Sequence, residues 1–300
     1  MISKYTRGLV AAMISSSTFG MIPLFSMPCL AAGMTTLSVV TYRYAIASLA
    51  MLILMLLNHQ NLRITMGDFW RLMLLAVFNN MAAVLIIYGY NFMDTGAATT
   101  IQFSYPMFTC IIMMLFFGEK ATVRTITAIV LAMAGVACLS GISSGEGDNT
   151  RLLIGIILEL GAGLTYSVYL VMVPQLKTSH IESSKLTFYV FLCSTLQLLM
   201  VAPFVGGIQP IDTTSVMLNL ALLGIVPTAV SNYTLIIGLK NIGSTLTSIL
   251  GALEPLTAML IGIWVFGEKM TFIIGIGFVA IIIAVTMLVV PQKNTSSADA

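Results

Sequence analysis

Long apolar runs alternate with short polar connectors along this chain, and the runs have nearly one length. Each is about 20 residues, which is what an α-helix needs to cross roughly 30 Å of hydrocarbon. Ten runs are predicted to span a membrane, at residues 8–30, 36–57, 68–90, 94–117, 122–141, 152–173, 183–205, 214–238, 243–266 and 271–290. The connectors hold most of the charged and turn-forming residues. The most polar of them, SSGEGDNTR at 143–151, separates five runs from five. The pattern therefore predicts an all-α membrane protein. Residues 1–142 form one five-helix unit, 143–151 the connecting loop, 152–290 a second unit and 291–300 a disordered tail.

Composition agrees with a lipid-facing surface. Of 300 residues, 58% are hydrophobic and 8% charged, and the mean hydropathy is +1.02. A soluble domain would carry roughly a quarter charged residues. The net charge of +2 gives no reason to expect a nucleic-acid partner. Cys29, Cys110, Cys138 and Cys193 lie in apolar stretches without metal-ligand spacing and read as small core residues. Lys4 and Arg7 precede the first run, as in a signal peptide. No small-x-small cleavage site followed by a soluble chain is evident, so that run reads as a first span. GISSG at 141–145 fits the G-x-S-x-G hydrolase pattern, but it follows an apolar helix instead of a strand. No metal, phosphate-loop or nucleotide pattern appears, so neither a cofactor nor direct use of ATP is expected.

Lysine and arginine in short loops mark the cytoplasmic side. With the N-terminus inside, Lys4, Arg7, Arg63, Arg71, Lys120, Arg124, Lys177, Lys185, Lys240 and Lys293 all fall inside, whereas Arg151 and Lys269 fall outside. Both termini are thus predicted to be cytoplasmic. The halves also resemble each other. FFGEK at 116–120 and VFGEK at 265–269 coincide when the chain is shifted by 149 residues, and so do Gly89 with Gly238, Pro106 with Pro255 and Thr122 with Thr271. Five spans is an odd number, so the second copy enters the membrane upside down. Inverted repeats of this kind are a transporter signature.

These residues resemble the drug/metabolite transporter superfamily, and within it the EamA-type carriers. The likeness rests on the ten spans in two halves, YRYAIASL in span 2, a proline amid spans 4 and 9, and GEK after each. It implies two inverted five-helix repeats around a central cavity, and outward carriage of small solutes such as metabolites or amino acids.

Charge inside a span is costly, about 2.5–3.5 kcal/mol on insertion scales, so ionisable residues there are candidates for function. Arg43, Glu159 and Glu254 are the three placed deep in the spans. At least one carboxylate is expected to pair with Arg43, because a lone buried charge is expensive. The other could carry a proton or meet a cationic part of the substrate. Glu254 and Tyr105 are repeat mates, each just before its proline. Glu159 shares a helical face with Gly163 and Tyr166, and it departs from the small or neutral residue usual in the family. Asn80, Gln102 and Asn232 add amides. The substrate-binding candidates are thus Arg43, Asn80, Gln102, Tyr105, Glu159, Tyr166, Asn232 and Glu254. Pro106 and Pro255 are expected to kink their spans and free the carbonyls of Gln102 and Gly251. Gly118 and Gly267 are expected to close helices, and Glu119 and Glu268 to favour the next helix N-terminus.

Together these features predict a secondary transporter of the cytoplasmic membrane. It would move a small, polar, amino-acid-like metabolite, outward and by alternating access. Its expected partners are the solute, the bilayer and, as a candidate, a coupled proton. Two alternatives are an integral-membrane enzyme and a non-transporting receptor or scaffold. Single cysteines at Thr122 and Thr271, in a background lacking native thiols, should label from opposite sides with an impermeant reagent. Labelling of both from one side would refute the inversion.

Overall fold

The computed structural model describes residues 3–89, 92, 101–120, 122–139, 149–176, 178–265 and 272–289. Twelve α-helices lie among them. They are α1 (Lys4–Phe19), α2 (Ile22–Ala31), α3 (Thr36–Leu57), α4 (Met66–Gly89), α5 (Tyr105–Phe117), α6 (Val123–Leu139), α7 (Asn149–Gln175), α8 (Ser183–Val201), α9 (Thr214–Gly224), α10 (Ser231–Leu250), α11 (Leu253–Val265) and α12 (Phe272–Val289). A π-helical turn, Ile225–Val230, joins α9 to α10. By length and composition, six helical stretches can each cross a membrane: Lys4–Ala31, Thr36–Leu57, Met66–Gly89, Leu153–Gln175, Ser183–Phe204 and Thr214–Leu250. Shorter apolar helices supply the rest of the expected spans.

Short polar residues start several helices. Ser3, Thr35 and Thr213 accept the amides of Thr6, Ser38 and Val216 into their side chains, satisfying donors that lipid cannot. Between α8 and α9 the chain turns through Gly206 and Gly207, both at positive φ. The long Thr214–Leu250 stretch is folded back at Gly243, whose φ of 80° and ψ of 174° lie in a region open essentially to glycine alone. This places the turn between predicted spans 8 and 9 at Gly243.

Among the described residues three predicted spans are discontinuous, and span 1 breaks at Gly20–Met21, between α1 and α2. Span 4 breaks at Phe103–Ser104 before α5, and span 9 breaks at Gly251–Ala252 before α11. The breaks of spans 4 and 9 correspond to within one residue at the 149-residue shift. The prolines therefore do not kink continuous helices, as the sequence suggested. Pro106 sits in the first turn of α5, where a missing N–H is harmless. The carbonyl of Gly251 is not left free either, because it accepts the amide of Glu254 at 2.9 Å.

The helices pack across the halves. α1 runs along α10, α4 along α7, α3 along α8, and α6 along α12. Under the repeat, spans 1 and 6 exchange, as do 3 and 8. The α1–α10 contact is thus the mate of α4–α7, while α3–α8 and α6–α12 are each their own mates. The largest buried cluster joins Leu9, Leu72, Tyr105, Tyr169, Ile236 and Leu250 from both halves. A second, with Tyr44, Met51, Met55 and Phe191, seals α3 against α8. Large apolar side chains such as Leu115, Phe116, Trp264 and Phe272 point outward, at 73%, 76%, 79% and 85% exposure, as a lipid-facing surface requires.

The turn at Gly243 yields a direct test. A Cβ there would meet nothing within 4 Å, so any cost of Gly243→Ala is backbone strain alone. The substitution should cost about 1–3 kcal/mol and lower the unfolding temperature in detergent. Gly67→Ala, in open space within a right-handed helix, should be neutral or stabilising.

Candidate functional site

The breaks of spans 4 and 9 meet through Tyr105 and Gly251, and the chemistry gathers around them. Tyr105, first residue of α5, meets Gly251 of the other break with its hydroxyl end, and no side chain larger than hydrogen fits there. α7 lies against the span 4 break. A methyl group on Gly163 would lie 2.9 Å from the Gln102 carbonyl oxygen and 3.0 Å from Ser104 Oγ, so only glycine permits the approach. One turn on, Ser167 Oγ donates to the Tyr105 carbonyl at 2.8 Å. At span 9 the end of α1 packs on the first turns of α11, just past the break. A Cβ on Gly20 would meet the Glu254 carbonyl oxygen and come within 2.7 Å of Thr257 Cβ.

An aromatic wall follows from this packing. Tyr105 meets Tyr166 edge-on at 5.0 Å, Phe103 meets Tyr105 at 5.4 Å, and Tyr166 stacks on Tyr169 at 6.1 Å. Tyr44 of α3 stacks on Phe191 at 5.3 Å. Arg43 enters beside it. It is 7% exposed, with its Nε donating to Thr228 Oγ1 at 2.7 Å and its guanidinium 5.6 Å from the Tyr44 ring centroid. Thr228 is in place because the π-helical turn presents it inward, where its hydroxyl also donates to the Leu223 carbonyl at 2.6 Å. Half-buried Glu254 has Tyr105 and Tyr166 as neighbours and lies within reach of the Arg43 charge.

The expected carboxylate partner of Arg43 is not found. Among the described residues the salt bridges are Arg71–Asp68 at 2.8 Å and His180–Asp68 at 3.0 Å, and neither involves Arg43. A hydroxyl and an aromatic face stabilise the guanidinium in place of a carboxylate. The site thus holds a cation and a carboxylate with no ion pair between them among the described residues.

Other predicted residues fall elsewhere. Asn80 ties α4 to α8, its Nδ2 donating to the Ser194 carbonyl at 3.1 Å and Gln197 Oε1 at 2.8 Å. Asn232 donates to the Thr228 carbonyl at 3.0 Å, fastening the π-helical turn. Gln102 is buried at the span 4 break. Glu159, fully buried, lies against Gly89 of α4, apart from the aromatic cluster. Gly118 ends α5 at a φ of 67°. Glu119 does not cap the next helix. Thr122 does so, accepting the Thr125 amide at 3.1 Å, while Glu119 Oε2 accepts from Thr245 in the other half at 3.0 Å. Gly267 and Glu268 lie outside the described residues.

Sequence reasoning missed Tyr44, Tyr169 and Ser167. Tyr44 stands next to Arg43, and Ser167 lies on the Glu159–Gly163 face, so both carried a signal. It also missed two sets of ties at opposite ends of the bundle. At one, Gln209 receives the Thr35 amide at 2.5 Å and the Tyr42 hydroxyl at 2.8 Å. At the other, Asp68 holds Arg71 and His180, and Tyr189 donates to the Leu62 carbonyl at 2.6 Å.

With this geometry in view, the comparisons are informative. The chain matches the EamA-like transporter family over residues 6–141 and 153–290, once in each half, and it belongs to that family. An uncharacterized transporter of Archaeoglobus fulgidus is 27% identical over 197 residues, covering 66% of this chain and 68% of the relative. An uncharacterized transporter of Bacillus subtilis is 24% identical over 266 residues, covering 87% and 85%. A solved crystal structure shares the fold, with a TM-score of 0.81 over 94% of this chain and 97% of that one, at 14% identity. The protein is a multi-pass membrane transporter.

The Arg43–Thr228 bond can be weighed by removal. Thr228→Val strips the Nε partner from a buried charge and should cost about 1.5–3 kcal/mol of stability in detergent. Thr234→Val, whose hydroxyl only bonds back to its own helix, should shift the unfolding temperature little.

Proposed function

We propose that the chain carries a small zwitterionic solute of the amino-acid type, outward across the cytoplasmic membrane, and that it binds the solute between Arg43 and Glu254. One observation carries this reading: the Arg43 charge is felt at Glu254, yet no ion pair joins the two among the described residues. Two unpaired charges in an apolar wall are expensive. A solute that brings a carboxylate to the guanidinium and an ammonium to Glu254 offsets both at once. The planar fork of arginine suits a carboxylate. Tyr105, Tyr166 and Tyr44 give the solute an aromatic bed, and the ammonium gains further from the ring faces. Transport, and not catalysis, fits a site of binding groups set at paired helix breaks.

Alternating access would tilt one repeat against the other about these breaks. The swapped packing supports this, since each half braces the discontinuous span of the other. The two sets of ties at opposite ends, around Gln209 and around Asp68, would open in turn. The lysine and arginine bias puts Asp68, His180 and both termini on the cytoplasmic side. The repeats would run 1–142 and 152–290, joined at 143–151, with 291–300 as a tail.

Counterflow in proteoliposomes tests the substrate class. Vesicles loaded with neutral amino acids should take up the labelled amino acid, whereas the matching amines and carboxylic acids should exchange at least tenfold more slowly. Arg43→Gln and Glu254→Gln should each lose uptake while unfolding like the wild type. Equal exchange of amines, acids and amino acids would rule out the zwitterion, and wild-type uptake by both variants would remove the site.

A further inference from the structure

Two carboxylates outside the proposed site are buried among the described residues: Asp68, which is held by Arg71 and His180, and Glu159. Glu159 is 0% exposed, and neither of its carboxylate oxygens has a hydrogen-bond partner among the described residues. A carboxylate normally accepts several hydrogen bonds, and burying one without partners costs several kcal/mol. The titratable groups around it are few. On α7 itself, Arg151 stands two turns before it and Tyr166 two turns after. On α4, Tyr88 adjoins Gly89, the residue packed against the carboxyl. On α5, Tyr105 lies against the face of α7 that carries Gly163 and Ser167. None of these donates to either Glu159 oxygen. In this packing nothing among the described residues compensates a charge on Glu159.

Its position on α7 links it to the transport site. Glu159, Gly163, Tyr166 and Ser167 follow one another on one helical face, at i, i+4, i+7 and i+8. Glu159 presses on Gly89, Gly163 presses on the span 4 break, and Ser167 holds the Tyr105 carbonyl. A Cβ at Gly89 would overlap the Glu159 carboxyl, so the group packs directly on the backbone of α4. Ionising Glu159 requires that contact to open, and a rigid α7 carries the opening to the break.

We propose that Glu159 is a proton-carrying site, separate from the solute site, whose loading closes α7 against α4 and whose unloading releases the span 4 break. This inference rests on the reading of the chain as an alternating-access carrier. The step is simple: a hydronium gives its proton to one carboxylate oxygen, forming an O–H bond and leaving water, and the reverse occurs when the contact opens to the other side. A state-dependent proton site converts a proton gradient into a bias on the conformational equilibrium, because a ligand shifts populations by its differential affinity.

The test uses purified full-length protein in proteoliposomes and does not need the solute. Infrared difference spectra across a pH titration should show a protonated-carboxyl stretch at neutral pH. It should be present in the wild type and in Glu254→Gln, and absent in Glu159→Gln. Ser104→Cys, a near-isostere at the break, should react with a small thiol reagent faster at high pH than thiol ionisation explains, and Glu159→Gln should abolish that excess. Identical carboxyl spectra in wild type and Glu159→Gln would mean that Glu159 is ionised, overturning the proposal. An unchanged excess in Glu159→Gln would overturn the linkage to the break. If Glu159→Gln does not fold, absence of the band from Glu254→Gln overturns the proposal alone. Failure of amino-acid counterflow would strike the solute reading and leave these spectra standing.

Discussion

Lipid cannot hydrogen-bond a peptide group, so every break in a membrane helix must be covered by protein. Two of the breaks among the described residues, at Phe103–Ser104 and Gly251–Ala252, lie against each other through Tyr105 and Gly251, and helices of the opposite half pack on or beside them. α7 covers the first through Gly163 and Ser167, and α1, ending at Gly20, packs on the first turns of α11 just past the second. These helices are spans 6 and 1, repeat mates of each other. Each half therefore packs a helix at or beside the other half's break. Neither half can bury its own discontinuous span by this route, which gives a physical reason for the halves to interlock instead of sitting side by side.

The same arrangement explains how charge is tolerated in the centre. Arg43 comes from the middle of α3, where a cation would be most costly against hydrocarbon. Its neighbours are the inward-facing Thr228 of the other half and the ring of Tyr44, the next residue on α3. Thr228 is presented by the π-helical turn, an irregularity of the kind often found at functional sites. Glu254 stands at the start of α11, where the exposed amides of the first turn favour a carboxylate. The breaks thus supply the polar groups that a continuous helix would have hidden in its own hydrogen bonds.

Small and hydroxyl-bearing residues do the joining. Asn80 to Ser194 and Gln197, Ser231 to the Ser15 carbonyl at 2.8 Å, and Ser244 to the Leu170 carbonyl at 2.8 Å each tie one span to another. Between membrane helices, where burial of apolar surface gives little preference for one neighbour over another, close packing and such bonds decide which faces meet.

The amino-acid sequence by itself determined the membrane environment, the approximate places of the spans, the two-half organisation and the family. These are local or periodic properties: run length, the GEK copies, the paired prolines. Tertiary structure alone decided which side chains meet. Arg43 and Thr228 are 185 residues apart, as are many partners here by a hundred or more, and their meeting depends on the rotation of α3 against a π-helical turn that hydropathy does not reveal. The same holds for Glu119, which reads locally as a helix-start residue yet reaches Thr245 across the halves, and for Glu159, whose isolation follows from the closeness of α4 at Gly89. Even the prolines changed meaning. A proline within an apolar run reads as a kink, but whether the helix bends or stops depends on what covers the freed backbone, and the helices packed on or beside the breaks come from the opposite repeat.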